Sequence, residues 1–203
     1  MEQLSRPKPR RTALTEALLR IVAERGLEQV SVREVAAAGG VSIGTVQHYF
    51  PTKDDMLAAA FTAVVDRMRQ RIESVCLGPD VRRNLSTVLS ELLPLDATRA
   101  AESRVQLAFA ARAATAPELA GIQRSVLAEI TDALTGAFDR AAAGTATPAQ
   151  SRIAAQLAVA ATDGLALHAV SSGGWLSAAQ LGAALEFLLD ALVPPVPHRT
   201  GHG

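Results

Sequence analysis

The chain has 203 residues, 49% of them hydrophobic, and its 20 basic and 20 acidic side chains cancel at neutral pH. That size and apolar content suit one compact domain or two small ones and exclude disorder throughout. A single cysteine, Cys76, excludes a disulfide framework within the chain and any multi-cysteine metal site, and it suits a reducing cytoplasm.

The charge is unevenly spread, with thirteen basic against ten acidic groups up to Arg83 and seven against ten beyond it. An asymmetry of this kind suits one end that meets phosphate and another that does not. No export signal is expected. No membrane span is expected either, because the most apolar late stretch, 153–170, is interrupted by Gln156 and Asp163.

Taken in chain order, residues 1–9 read as a disordered basic leader in which Pro7 and Pro9 hold off helix. Its Arg6 and Lys8, with Arg10 and Arg11 just after it, form either an arm for phosphate or a solvated tail. A first helix runs to about Arg25, with Leu14, Leu18, Ile21 and Val22 on one face and Gly26 as its stop.

Ser31 followed by Glu34 has capping-box spacing, Val32 and Val35 give the next helix an apolar side, and Gly39-Gly40 ends it. Ser42 is a fresh N-cap, and Val46 with Phe50 forms an inward apolar pair one turn apart. Ile43, Thr45, Gln47 and His48 then fall largely outward. Two short helices around a tight glycine turn, with small and amide side chains outward, suit insertion into a major groove.

Thr52 caps the next helix with Asp55 as a weaker capping partner, and Asp54-Asp55 places negative charge at its start, where the helix dipole favours it. Apolar residues from Met56 through Phe61, Val65 and Met68 to Ile72 recur at helical steps, which makes this helix about twenty residues long, roughly 30 Å. Gly78-Pro79, Pro94, Pro117, Gly144, Thr147-Pro148, Gly173-Gly174 with Ser177, and Pro194-Pro195 punctuate the remainder of the chain. No useful β-alternation and no internal repeat occurs, so the chain reads as all-α with about nine helices.

The run VSIGTVQHYFPTK, from Val41 to Lys53, closely resembles the recognition helix and following turn of the TetR family of bacterial transcriptional regulators. The resemblance covers about the first quarter of the chain by motif. Two positions depart from the family's common pattern. Gly39 stands where alanine is usual, which would loosen the turn, and Gln47 stands where tyrosine is usual, which implies a different operator.

The resemblance implies a helix-turn-helix DNA-binding domain over 10–53, a helical effector-binding and dimerisation domain over 54–193, and a disordered tail over 194–203. Behind the cap Ser42, Thr45, Tyr49 and Lys53 would hold phosphates, as hydroxyl, phenol and ammonium donors. Arg33 would reach a phosphate or a guanine edge, while Ile43, Gln47 and His48 would face bases. Gln47 can pair with adenine through two hydrogen bonds and Ile43 can touch a thymine methyl. The alternatives are that Tyr49 packs on the first helix, Ile43 joins the core and Lys53 is a solvated charge.

Small-molecule pocket candidates are Phe61, Met68, Arg104, Gln106, Phe109, Val126, His168 and Trp175, with Val88 and Ile122. Core packing accounts for each equally well. A mostly apolar lining suits an apolar or aromatic effector. Asp163 can hydrogen-bond His168 if the two lie about one turn apart. Leu157, Leu165, Leu181, Leu185, Leu188 and Leu192, among small alanines, offer an interface for a homodimer on a near-palindromic double-stranded DNA operator.

The reading is a cytoplasmic, ligand-released repressor without cofactor or metal. Its four histidines are scattered, and no cysteine-histidine or carboxylate cluster offers catalysis. The rival readings are a helical carrier or enzyme keeping this scaffold, and a ligand-independent activator.

Overall fold

The computed structural model describes residues 9–26 and 30–193, which form nine α-helices and no strand. They are α1 (Pro9–Arg25), α2 (Val32–Gly39), α3 (Ile43–Tyr49), α4 (Lys53–Ser74), α5 (Val81–Ser90), α6 (Ala97–Ala113), α7 (Pro117–Ala142), α8 (Pro148–Ser171) and α9 (Ala178–Leu192). The expectations for Arg6, Lys8 and the 194–203 tail lie outside the described residues. Pro9 opens α1 instead of holding it off, because a proline in a first turn gives up no intrahelical hydrogen bond.

Contacts divide the chain into two compact units, Met1–Glu73 with Asp96–Ser125, and Ser74–Leu95 with Val126–Gly203. The expected boundary after residue 53 is drawn differently by packing. Met56, Ala60 and Val64 of α4 and Val105 of α6 belong to the same apolar core as Leu14, Leu18, Val22, Val35, Val46 and Phe50. Phe61 and Phe109 stack face to face in this first unit, 3.9 Å between centroids and 6° apart in plane.

The second unit packs α5, the later part of α7, α8 and α9 around Leu85, Leu89, Leu134, Phe138, Ala158 and Leu189. Thr147 with Gln150 and Ser177 with Gln180 are complete capping boxes that start α8 and α9. Arg82 of α5 donates to Glu186 at 2.9 Å and also pairs with Asp190, while Ser86 donates to Glu186, so polar bonds edge the α5 to α9 contact.

Leu181 and Leu185, expected at a subunit interface, are each 1% exposed in the core of this unit, because they face α5 across the apolar layer. Leu165, Leu188 and Leu192 are half-buried against the same core, and only Leu157 of the six stands open, at 51%. Alongside Leu157 the outer face of α8 carries exposed Ile153 and Leu167, and α9 carries Phe187 at 80%. By length and composition α8 is the one described helix apolar enough to cross a membrane, and 28% of that apolar window is buried within the chain.

Asp163 lies on α8 with apolar neighbours one turn away on both sides, Val159, Ala160, Ala166 and Leu167. Asp163 is exposed as a residue, yet desolvation of its carboxyl by these apolar neighbours raises its pKa from 3.8 to about 6, an effect that solvent screens. A carboxyl with a raised folded pKa binds its proton more tightly in the folded chain, so stability falls as pH rises from about 4 to about 6 and is level above. Asp163→Asn is expected to remove that decline in melting temperature. An unchanged pH profile would contradict the assignment.

Candidate nucleic-acid interface

Local sequence builds the reading head from its caps. The Ser31 hydroxyl accepts the Glu34 amide at 3.2 Å to start α2. The reciprocal half of the expected box is replaced, since the Glu34 carboxylate takes Arg25 at 3.4 Å. At the other end Gly40 sits at φ 62, in the left-handed region, so that its amide reaches Ala37 O and the Val41 amide reaches Ala36 O at 3.0 Å. This pair of backward bonds is a Schellman closure, which favours glycine at the left-handed position. Gly40→Ala is expected to destabilise the chain by about 1 to 2 kcal/mol in urea unfolding.

Gly39, just before the turn, is closely approached by α1. A Cβ built there would lie 2.7 Å from the Leu14 Cδ2 atom, so the bare glycine lets the buried Leu14 side chain close onto the turn.

The α3 helix follows at once. Ser42 accepts the Thr45 amide at 3.2 Å, and the two hydroxyls lie 2.9 Å apart. Val46 and Phe50 are fully buried and fix the helix from behind, and the Phe50 amide closes its end on Val46 O at 2.8 Å. The guanidinium of Arg11 lies 5.8 Å over the Phe50 ring. With its back so held, α3 presents Ile43, 45% exposed, together with exposed Gln47 and His48. Thr45 and Tyr49 are half-buried at its sides, and Tyr49 leans on the head core while its ring stands edge-on to His48 at 5.2 Å.

The chain then turns into α4 through Thr52 and Asp55, which bond reciprocally: the Thr52 amide donates to the Asp55 carboxylate at 2.9 Å and the Asp55 amide to the Thr52 hydroxyl at 3.0 Å. Lys53 is the first residue of α4 and is exposed, as is Arg33 on α2. Asp54 does more than meet the helix dipole. Arg112 of α6 grips it with two bonds, at 2.9 and 2.8 Å, and so holds its carboxyl below the usual carboxylate range.

The effector candidates are dispersed. Phe61, Met68 and Phe109 are core residues of the first unit, 3%, 4% and 0% exposed, because the stacked rings fill the space between α4 and α6. Arg104 is exposed and Gln106 half-buried in that unit, while Val126, His168 and Trp175 belong to the second. His168 meets the exposed Trp175 edge-on at 6.0 Å and forms no hydrogen bond with Asp163 among the described contacts. Five residues along a helix turn the side chain about 140° away, so the two point apart.

The first unit also holds a cleft of about 450 Å³, lined by Glu16, Arg20, Arg67 and Glu102 over Leu19 and Val105. None of the pocket candidates lines it. Sequence reading missed Glu102 because a glutamate in mid-helix reads as a solvated charge. It is 5% exposed, gripped by Arg71 at 2.8 and 3.2 Å.

Comparison with known proteins agrees with this architecture at both ends. Residues 14–60 match the family described as bacterial regulatory proteins, tetR family, and residues 81–194 match the BetI-type transcriptional repressor C-terminal family. A transcriptional regulator structure from Rhodococcus sp. RHA1 is 42% identical, superposes with a TM-score of 0.82, and covers 90% of this chain and 95% of its own. The regulator BetI of Stenotrophomonas maltophilia is 29% identical over 83% of this chain and 85% of its own length. The regulator PksA of Bacillus subtilis is 33% identical over 51% of each, so that match spans about half the length of PksA.

Members of these families are transcriptional regulators that bind operator DNA as dimers and answer to small molecules; they are not enzymes. The capped α2–turn–α3 head, the two matched families and the near-complete overlap with the Rhodococcus structure make this chain a member of the TetR family of DNA-binding transcriptional regulators.

Proposed function

We propose that the protein is a cytoplasmic repressor that binds a near-palindromic operator as a homodimer and releases it when a small apolar or aromatic molecule binds. The observation that carries the DNA-reading part is the division of α3 into a fully buried back, Val46 and Phe50, and an open front of Ile43, Gln47 and His48. Thr45, Tyr49 and Lys53 supply phosphate donors, with Arg33 on α2, and the front supplies the base contacts. Selection from random duplexes tests this: a sequence-selective, salt-steep interaction is expected, lost in Tyr49→Ala plus Lys53→Ala. Binding with no preference over random DNA would remove it. Gln47→Ala is expected to leave affinity for random duplex unchanged while reducing discrimination at one base position by about 1 to 3 kcal/mol.

The homodimer rests on the outer faces of α8 and α9. Ile153, Leu157, Ala160, Gly164 and Leu167 recur at three- and four-residue steps, and Phe187 stands open on α9. Apolar stripes with small residues at their middle pack helix on helix, and a second copy would bury both in a four-helix arrangement. This accounts for the composition of α8 without a membrane. The effector class rests on the apolar content of the middle helices. It must bind the DNA-incompetent arrangement more tightly, since equal affinity for both would shift nothing. A thermal-shift screen of aromatic and aliphatic compounds checks the class. A ligand at a hundred times its dissociation constant stabilises by about 2.7 kcal/mol.

A further inference from the structure

We infer that Arg112 is a positioning residue for DNA binding: through its two-bond grip on Asp54 it sets the first turn of α4, and with it the direction of the Lys53 ammonium, without touching DNA itself. The inference rests on the proposal that Lys53 meets a phosphate.

Lys53 and Asp54 are the first two residues of α4, so whatever fixes Asp54 fixes the backbone that carries Lys53. The fixing group comes from 58 positions away. Arg112 Nε and Nη2 lie 2.9 and 2.8 Å from the two Asp54 oxygens, and Arg112 Nη1 donates to the Thr115 hydroxyl at 3.2 Å. Three of its nitrogens are thus committed within the protein, and the planar fork admits one orientation of the carboxylate.

The same pair of helices is held farther along by the stacked Phe61 and Phe109 and by Arg71 on buried Glu102. Along α4 the three contacts run 54, 61, 71, and along α6 they run 112, 109, 102. The helices are therefore tied in antiparallel order, and the Arg112 contact is the one beside the DNA-facing turn.

Simple electrostatics gives the opposite sign to this inference, which makes the test sharp. Removing the Asp54 charge beside a phosphate should tighten binding if Asp54 only repels DNA, and should weaken it if Asp54 is the handle by which Arg112 orients Lys53. The full-length chain and the duplex recovered by selection are used, with binding read by fluorescence anisotropy at several salt concentrations. Each variant is measured where its melting curve shows it folded.

Asp54→Asn and Arg112→Met are each expected to weaken binding roughly 3- to 10-fold, in the range seen when a residue acts through a neighbour. The double variant is expected to be no worse than either single one, and Arg112→Lys to recover part of the loss. The salt slope should stay unchanged in Arg112→Met. Tighter or unchanged binding by Asp54→Asn overturns the inference. So does a slope lowered by about 0.9 in Arg112→Met, which would make Arg112 itself a phosphate ligand. Unchanged binding by Lys53→Ala would instead fail the reading of Lys53 on which the inference rests.

Discussion

Leu157→Glu combined with Phe187→Glu is expected to convert the protein to monomers and to weaken operator binding by about 10²- to 10⁴-fold, the range lost when two linked contacts become one. Both side chains are open in the single chain, 51% and 80% exposed, so their replacement leaves the core of the second unit in place. A buried unpaired carboxylate at each site would face its symmetry-related copy, and burying isolated charge costs several kcal/mol. Sedimentation equilibrium reads the oligomeric state, and anisotropy on half-site and full-site duplexes reads the consequence. The half-site affinity should not change. A variant that stays dimeric with full operator affinity would show that these stripes are not where two copies meet. Leu185→Ala serves as the contrasting control. That residue is 1% exposed, so its truncation should lower folding stability by about 2 to 5 kcal/mol through a cavity and act on the interface only indirectly.

Phe50→Ala is expected to lower the stability of the first unit by about 3 to 5 kcal/mol and to abolish operator selectivity with it. The ring is fully buried in the core that also holds Leu14, Val35 and Val46, and it lies where α3 ends and the turn to α4 begins. Deleting it leaves a cavity directly behind the reading helix, which is only seven residues long and has little stability of its own. Chemical denaturation measures the loss, and Gln47→Ala separates the two functions of α3. That exposed change should alter stability by less than about 0.5 kcal/mol while still reducing base discrimination. If Phe50→Ala kept both its stability and its selectivity, the description of α3 as a helix held from behind would be wrong.

The exposed front of α3, which is proposed to read DNA, was legible in sequence because its determinants are local. Ser42 caps a residue three positions away, Val46 and Phe50 are one turn apart, and Gly40 is required where the backbone turns left-handed. Four outward positions then come from helical period alone, and the structure leaves Ile43, Gln47 and His48 open as expected. The pocket was not legible. Whether Phe61 and Phe109 line a cavity or fill one depends on how closely α4 and α6 approach, and periodicity says nothing of that distance.

The amino-acid order by itself determined the interactions that close within a turn or so: where helices start and stop at Ser31, Ser42, Thr52, Thr147 and Ser177, and which side of each is apolar. Tertiary structure decided which apolar side is covered. On α9, Leu181 and Leu185 vanish against α5 while Phe187 stays open, although all three side chains are apolar. It also chose the partners of charges, sending Glu34 to Arg25, Glu102 to Arg71 and Asp54 to Arg112. The reason is one of range. Caps and helical steps are fixed by neighbours three or four residues off, whereas burial and ion pairing depend on what the fold brings together from nine to more than a hundred residues away.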